Sequence, residues 1–465
     1  MRLAAIRMIS LAARLRCRAK IAKVMSRLLW LGLCLLASAL AYAQPSSAAP
    51  PVTLRHALWD ANQRPLYQAC ARAFEAAHPG IRIRIQQMGW GDYWTGLATG
   101  FVSATAPDVF THHPLFWSEY LLNGVMADLS NDVARDGVKP EDYERGLLAM
   151  WQHQGRSFGL PLDWDTVALA VNLEHMERAG LTLQDLINAR WNPRDGGSFE
   201  RIIRRLTQDQ AGRRADEAGF DPQKVRLRGF QISGPGGMLG QTEWSSFAVS
   251  AGWRYQSQPG DAALRYDDPV FIDTLRWFAS LPSKGLSAAP KEMGKMGAEG
   301  LFLAGRVAMV PAGAWMTGHF QQHAKFRYAW VPLPVGPNGQ RASMVNSLAL
   351  SVWSGSKHRE AAWRWVRYVG SRECQAQIAQ QGVVYPAIRG LGAVAAGVQR
   401  GRGVDTQAFI DAAQGLTFAA PVVPRSAEIN DVMNSALESV LSGRMPPEVA
   451  LPQAAQRARA LARER

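Results

Sequence analysis

An α/β fold in two lobes is what the sequence predicts, on three observations. The chain has 465 residues, more than one hydrophobic core holds, and two units of ordinary domain size account for the length. From residue 52 onward, short period-two runs alternate with amphipathic stretches of helical length. The composition, 47% hydrophobic and 19% charged, is that of a packed globular protein and excludes wholesale disorder. The aromatic usage is less ordinary: sixteen Trp match sixteen Phe. Large flat side chains with a polar handle suit a surface that grips something partly apolar and partly hydroxylated, although core packing accounts for most Trp in most proteins.

The first segment stands apart. Residues 28–41 are apolar but too short to span a bilayer comfortably. Arg27 and an upstream basic cluster precede them, and Ala41-Tyr42-Ala43 is a small-x-small cleavage motif. Residues 1–43 are therefore expected to be an export signal cleaved after Ala43, with Ala49 as a second position and Met25 as an alternative start. Leu33 precedes Cys34 where a lipoprotein signal needs a small residue, so a soluble periplasmic protein is expected. The leader carries eight basic residues and no acidic one. Its removal leaves 44 basic against 38 acidic residues, a net of +6 in place of +14. No basic run is interleaved with aromatics, so nucleic acid is not an expected partner.

The mature chain opens with a strand at 52–59, which alternates with period two, and a turn at 60–65. Leu66, Cys70, Phe74 and Ala77 then make one stripe of a helix that His78-Pro79-Gly80 stops. Ile81, Ile83 and Ile85 alternate with polar residues in a second strand, followed by a helix at 92–102 and a strand from Asp108. This order argues a parallel sheet flanked by helices. Further on, residues 159–161 and 167–171 are apolar, 174–179 begin a helix, and 191–230 read as polar and helical. Gly229 to Gly240 is a glycine-rich loop. Later come a helix at 271–281, strands at 308–311 and 347–352, a helix at 359–369 and a helical region from Glu428. Trp277, Trp363 and Trp365 sit on amphipathic helices and are expected in the core. Cys70 and Cys374 remain once the leader is gone. Their separation neither supports nor excludes a bond, and a buried free thiol is the expectation for Cys70, on the apolar side of its helix. Neither has metal-ligand spacing.

Several motifs, taken in order, resemble one family. Phe74-Glu-Ala-Ala-His-Pro-Gly-Ile-Arg-Ile83 is similar to the "F-x-x-x-x-P-G-I-x-V" opening of family 1 extracellular solute-binding proteins, the maltose-binding-protein-like class. Ala106-Pro-Asp-Val109 resembles its "A-P-D-V" strand. Phe158-Gly-Leu-Pro161, Ala168-Leu-Ala-Val-Asn172 and Ala179-Gly-Leu181 resemble "Y-G-L-P … L-Y-Y-N … A-G-L". Phe302-Leu-Ala-Gly-Arg-Val-Ala-Met-Val310 with Gly313-Ala-Trp315 resembles "F-x-x-G-K-x-A-M … G-x-W". Val331-Pro-Leu-Pro334, Gly336-Pro337, Ser356-Lys-His358, Ala361-Ala-Trp363 and Ser442-Gly-Arg444 with Ala450-Leu451 follow in family order. Phe158, where Tyr is usual, and the Arg-rich segment 194–228 depart from the pattern. The resemblance implies a periplasmic-binding-protein fold with two lobes, 52–163 plus 348–395 and 164–346 plus 396–465. A hinge joins them, and the ligand cleft lies between. It also implies a binding protein rather than an enzyme: a monomer that captures a mono- or oligosaccharide and delivers it to the permease of an ABC importer, with no cofactor.

A sugar has C–H patches that pack on aromatic rings and hydroxyls that need polar partners. Ligand contacts in open α/β sheets fall beyond the C-terminal ends of strands. That points to Trp59, Asp60 and Asn62 after the first strand, and to Trp90, Tyr93 and Trp94 after the second. His112 and His113 follow the third, as hydroxyl partners or as loop-capping residues. Asp163 and Asp165 flank Trp164 beyond Gly-Leu-Pro, and Asp165 matches a family position that contacts sugar. Trp315 matches the family's stacking Trp. Trp244 lies where the family places cleft aromatics, and Asn346, Tyr385 and Arg425 lie in segments near cleft and hinge. An exported glycoside hydrolase is the rival from another class, with Asp163 and Asp165 as its carboxylate pair. Gly234-Pro-Gly-Gly-Met-Leu-Gly240 lacks the spacing of a nucleotide-binding loop. A polyol or a glycerol phosphodiester is the alternative ligand, the excess of Arg keeping an anion open.

Overall fold

The computed structural model describes residues 50–464 apart from Pro259. The expected export signal at 1–43, its cleavage after Ala43, Ala49 and the alternative start at Met25 lie outside the described residues. Residues from Val52 onward form one compact unit.

The chain begins with β1 (Val52–Leu58), α1 (Arg64–Ala77), β2 (Ile81–Gln87), α2 (Trp90–Val102), β3 (Val109–His112) and α3 (Pro114–Leu122). The periodicities explain why. The α1 stripe of Leu66, Cys70 and Phe74 is buried, Pro65 sits at its first turn, and His78 closes it by donating its backbone N–H to Phe74 O. Next come β4 (Leu160–Pro161), β5 (Asp163–Trp164), β6 (Val167–Asn172), α4 (Gly197–Leu206) and α5 (Pro269–Ser280). Then β7 (Met309–Gly313), β8 (Tyr328–Val331), β9 (Ala349–Val352), α6 (Arg359–Val369), α7 (Arg372–Ala379) and β10 (Tyr385–Pro386) follow. The described chain ends with α8 (Leu391–Gly401), α9 (Ser426–Leu441) and α10 (Pro447–Arg463).

Two sheets organise these elements. The first runs β2-β1-β3-β9-β4. β1 is parallel to β2 and β3, whereas β9 is antiparallel to both β3 and β4. The second is β7-β6-β8 and wholly antiparallel. The expected parallel sheet is thus realised only where strands and helices alternate locally. Strands that return from late in the chain add the antiparallel partners. Alternation along β6 sends Ala168 and Ala170 into a core continuous with that of the first sheet. Val167, Leu169 and Val171 face a second, Trp-rich core. Trp277, Trp363 and Trp365 are buried in these cores, as their helices imply.

The chain passes between the sheets twice at one place. Outward it runs from β4 through β5 to β6, and it returns ahead of β9. The two crossings are hydrogen-bonded: Asp165 and Asn346 exchange backbone bonds of 2.9 and 3.1 Å, and Leu162 N donates to Leu348 O at 2.8 Å.

Two expectations are corrected. Residues 191–230 are not helical throughout. Only α4 is helical, and a short antiparallel pair, Gln208–Asp209 with Val225–Leu227, follows. Asp209 is the cause: its buried carboxylate accepts from Arg213 N at 2.9 Å, Arg213 Nε at 3.1 Å and Asp221 N at 3.2 Å, tying the polar stretch into turns. Cys70 is not a free thiol. It is disulfide-bonded to Cys374, the two Cα atoms 5.5 Å apart, which joins α1 to α7. Cys70 does face the core, and so does Cys374 from the helix packed against it.

Candidate functional site

A cleft of about 650 Å³ opens where the chain crosses between the sheets. Its floor comes from the strand ends. Trp59 and Asp60 follow β1, Trp90 begins α2 and His113 follows β3. Asp163 and Trp164 are β5, Asp165 lies between β5 and β6, and Asn346 precedes β9. Trp315 follows β7, and Tyr385 comes from β10. Ten of the fifteen residues expected from the sequence, Asn62 among them, line this one space. A second concavity of about 590 Å³, between α9 and α10, is lined without any aromatic residue.

The aromatic faces are held in place by their neighbours. The Trp59 and Trp90 rings meet edge-on with centroids 5.2 Å apart. Trp164 stacks on Tyr385 at 4.8 Å and 21°. Burial pushes the Tyr385 hydroxyl up to about 12, and it donates to Thr406 O. Trp315 folds back over the end of β7, and any Cβ on Gly313 would overlap its ring. The spacing Gly-x-Trp therefore has a steric reason: only a glycine lets the ring lie there.

The polar groups form a network of neutral donors around carboxylates. Leu348 N donates to Asp163 Oδ1 at 2.9 Å, and Gln63 Nε2 approaches Oδ2 at 3.4 Å. Tyr67 OH in turn donates to Gln63 Oε1 at 3.0 Å. Asp165 accepts from Gln241 Nε2 at 2.7 Å and from Asn346 Nδ2 at 3.2 Å. Asn62 N donates to Asp60 Oδ1 at 2.8 Å. Glu243 is held by Thr242 Oγ1 at 2.9 Å. Desolvation dominates the titration of all four acids. It pushes Asp163 and Glu243 up to about 7, drives Asp165 well above the carboxylate range and raises Asp60. Burial also holds His113 down to about 3, so its ring is neutral, and Nδ1 accepts from Leu115 N at 3.1 Å.

Five expected residues lie elsewhere. His112 ends β3 and His113 continues the extended backbone as the N-cap of α3, so the two side chains point to opposite sides and only His113 reaches the cleft. His112 is buried, stacked on Tyr120 with centroids 5.3 Å apart. Tyr93 is buried on α2, donates to Thr111 O at 2.6 Å, and backs Trp59 edge-on. Trp94 is buried beside it. Trp244 belongs to the second core, its Nε1 donating to Pro235 O at 2.9 Å. Gly240 is at φ +54, and its Cα lies against that ring. Arg425 caps α9 on the surface and pairs with Glu428 and Glu464. The cleft also contains residues that sequence reasoning passed over: Gln63, Trp164, Gln241, Thr242, Glu243 and Asn430. Trp164 sits between the two expected acids, and Gln241 to Glu243 precede the Trp that was singled out. At 163–165 the expected acids line the cleft together with the Trp between them, whereas at 241–244 the segment reaches the cleft through Gln241, Thr242 and Glu243 and not through Trp244.

With this geometry in view, the chain can be set beside known proteins. A family model described as bacterial extracellular solute-binding protein matches residues 60–376. A putative binding protein of Brucella abortus (strain 2308) is 22% identical over 424 residues, covering 90% of this chain and 94% of that protein. An ABC substrate-binding protein of Listeria monocytogenes, solved in complex with cycloalternan, superposes with a TM-score of 0.76. It is 20% identical, over 88% of this chain and 98% of that one. The maltose/maltodextrin-binding domain MalE of Bdellovibrio bacteriovorus, bound to maltotriose, gives a TM-score of 0.71. It is 17% identical, over 89% of this chain and 100% of that one. At these identities the two solved structures establish a shared fold.

Proposed function

The chain belongs to the bacterial extracellular solute-binding proteins, and from that premise we propose that it captures a mono- or oligosaccharide in the cleft and delivers it to the permease of an ABC importer. The observation that carries the reading is the pairing of aromatic faces with hydrogen-bonding acids around one space of about 650 Å³. Trp59, Trp90 and Trp315 serve as platforms for sugar C–H faces, with Trp164 on Tyr385 as a further wall. Asp60, Asp163, Asp165, Asn346 and His113 meet the hydroxyls. The Listeria and Bdellovibrio proteins of the same fold, bound to cycloalternan and to maltotriose, support the ligand class. A glycerol phosphodiester has little support, because neither Lys nor Arg lines the cleft. A micromolar complex needs about 8 kcal/mol net, which a few stacked rings and several charge-assisted hydrogen bonds supply.

The mechanism is capture and hand-off. One lobe is 52–163 with 348 onward, the other 164–346 with the C-terminal region. The second boundary belongs after Gly401, since a break at 395 would divide α8. The paired crossings at Asp165 and Asn346 act as the hinge, closure completes the contacts, and docking on the permease reopens the cleft. The protein works as a monomer in the periplasm after loss of residues 1–43. The Cys70–Cys374 bond suits an oxidising compartment. No covalent step is involved. The test is a thermal-shift screen over saccharides, polyols and glycerol phosphates, followed by calorimetry. A saccharide is expected to raise the melting temperature. A glycerol phosphate as the sole hit would overturn the reading, and so would turnover of a chromogenic glycoside.

A further inference from the structure

The carboxylates of the cleft have no counter-ion. Asp60, Asp163, Asp165 and Glu243 all line it, and no Lys or Arg does. Every hydrogen-bond partner of the four is a neutral amide, backbone N–H or hydroxyl among the described residues. His113 adds no charge, since its ring is neutral. This is a local property, for the chain as a whole carries 52 basic against 38 acidic residues. Nor do the acids converge as a metal site does: no group of three His, Cys, Asp or Glu among the described residues could hold a metal ion. They are spread around a space large enough for an organic solute.

The rest of the wall fits the same chemistry. Trp59, Trp90 and Trp315 present aromatic faces beside the acids, and a cation is drawn to such faces as well as to carboxylates. A neutral sugar exchanges hydrogen bonds with these acids but supplies no positive charge, so burial still holds protons on Asp163 and Asp165 in a site that closure dries. A protonated amine brings three donors and the missing charge together.

We infer that the cleft takes a sugar or sugar-like polyol bearing a protonated amine, its ammonium seated among Asp60, Asp163 and Asp165 and its ring carbons on the Trp faces. This rests on the saccharide reading above and narrows it. The test is calorimetry on matched triads of free amine, N-acetyl and hydroxyl compounds. The triads are glucosamine, N-acetylglucosamine and glucose, their galacto and manno counterparts, and the β-1,4 disaccharides chitobiosamine, diacetylchitobiose and cellobiose. The amine member of at least one triad is expected to bind tenfold or more tighter than both counterparts. The Asp163→Asn/Asp165→Asn double variant is expected to bring that ratio below threefold. Asp60→Asn, on a half-exposed turn and therefore safe for folding, is expected to lower it severalfold. Counterparts that bind as tightly as the amine, or a ratio unchanged in Asp60→Asn, would overturn the inference and leave saccharide capture standing. A panel in which no member binds would overturn both.

Discussion

Asp163 is a buried acid without a cation, and its titration is a measurable consequence. The folded chain holds a proton on Asp163 up to a pH of about 7, whereas an unfolded chain releases it near the ordinary carboxylate value. Between those values the folded state binds more protons, so this residue makes stability fall as pH rises from roughly 4 to 7. His56, His112 and His113, held down to about 3 by burial, act in the opposite sense. They cost stability as pH drops below the ordinary histidine value. Asp163→Asn isolates the first effect. Its melting temperature relative to the parent is expected to rise between pH 5 and pH 8, corresponding to a few kcal/mol. A flat difference across that range would mean an ionised Asp163 throughout. Trp315→Ala and Asp165→Ala are each expected to weaken ligand binding at least tenfold by calorimetry while the thermal transition stays cooperative. At this scale the sequence was legible where a rule of position applied. Strand ends marked Trp59 and Asp60, and Gly-x-Trp marked Trp315. It was illegible where only side-chain direction decides. His112 and His113 are neighbours of one type that point to opposite sides of an extended backbone, and Trp244 looks the same in sequence whether it faces a cleft or a core. Glu243 carried no periodic signal at all.

At the scale of elements, the end of β7 and the α1–α7 contact make the sharpest claims. A methyl on Gly313 would displace the Trp315 ring. Gly313→Ala is therefore expected to lose ligand affinity to about the extent of Trp315→Ala, although residue 313 is apart from the polar network. Affinity equal to that of the parent would show that the ring is free to move. The disulfide closes a very long loop, with a sequence separation of 304. Replacing both cysteines by Ser is expected to cost about 2–5 kcal/mol in denaturant unfolding, with ligand affinity unchanged because the bond lies outside the cleft. The first three strands and the helices between them were readable from periodicity, since each is a local pattern. The antiparallel second sheet was not. Its strands β6, β7 and β8 are brought together from 167 to 331, and nothing local in a strand states the direction of its partner. The turn-rich stretch after α4 read as helix for a similar reason: a single buried acid, Asp209, overrides the local preference.

For the whole molecule, the two crossings side by side at Asp165 and Asn346 define the motion expected of the protein. Small-angle scattering is expected to show a smaller radius of gyration with ligand than without. An unchanged radius at saturation would argue for a rigid cleft. The two-lobed α/β plan was readable from length and ordered motifs, whereas the volume of the cleft was not, because it depends on how the two sheets are set against each other. One feature of that cleft has a practical use. Trp59, Trp90, Trp164 and Trp315 all border it. Filling the space changes the surroundings of several indoles at once, so their emission reports occupancy directly. The protein thus carries its own optical gauge, and stopped-flow fluorescence with no added dye would time both the arrival of the solute and the closure proposed to follow it.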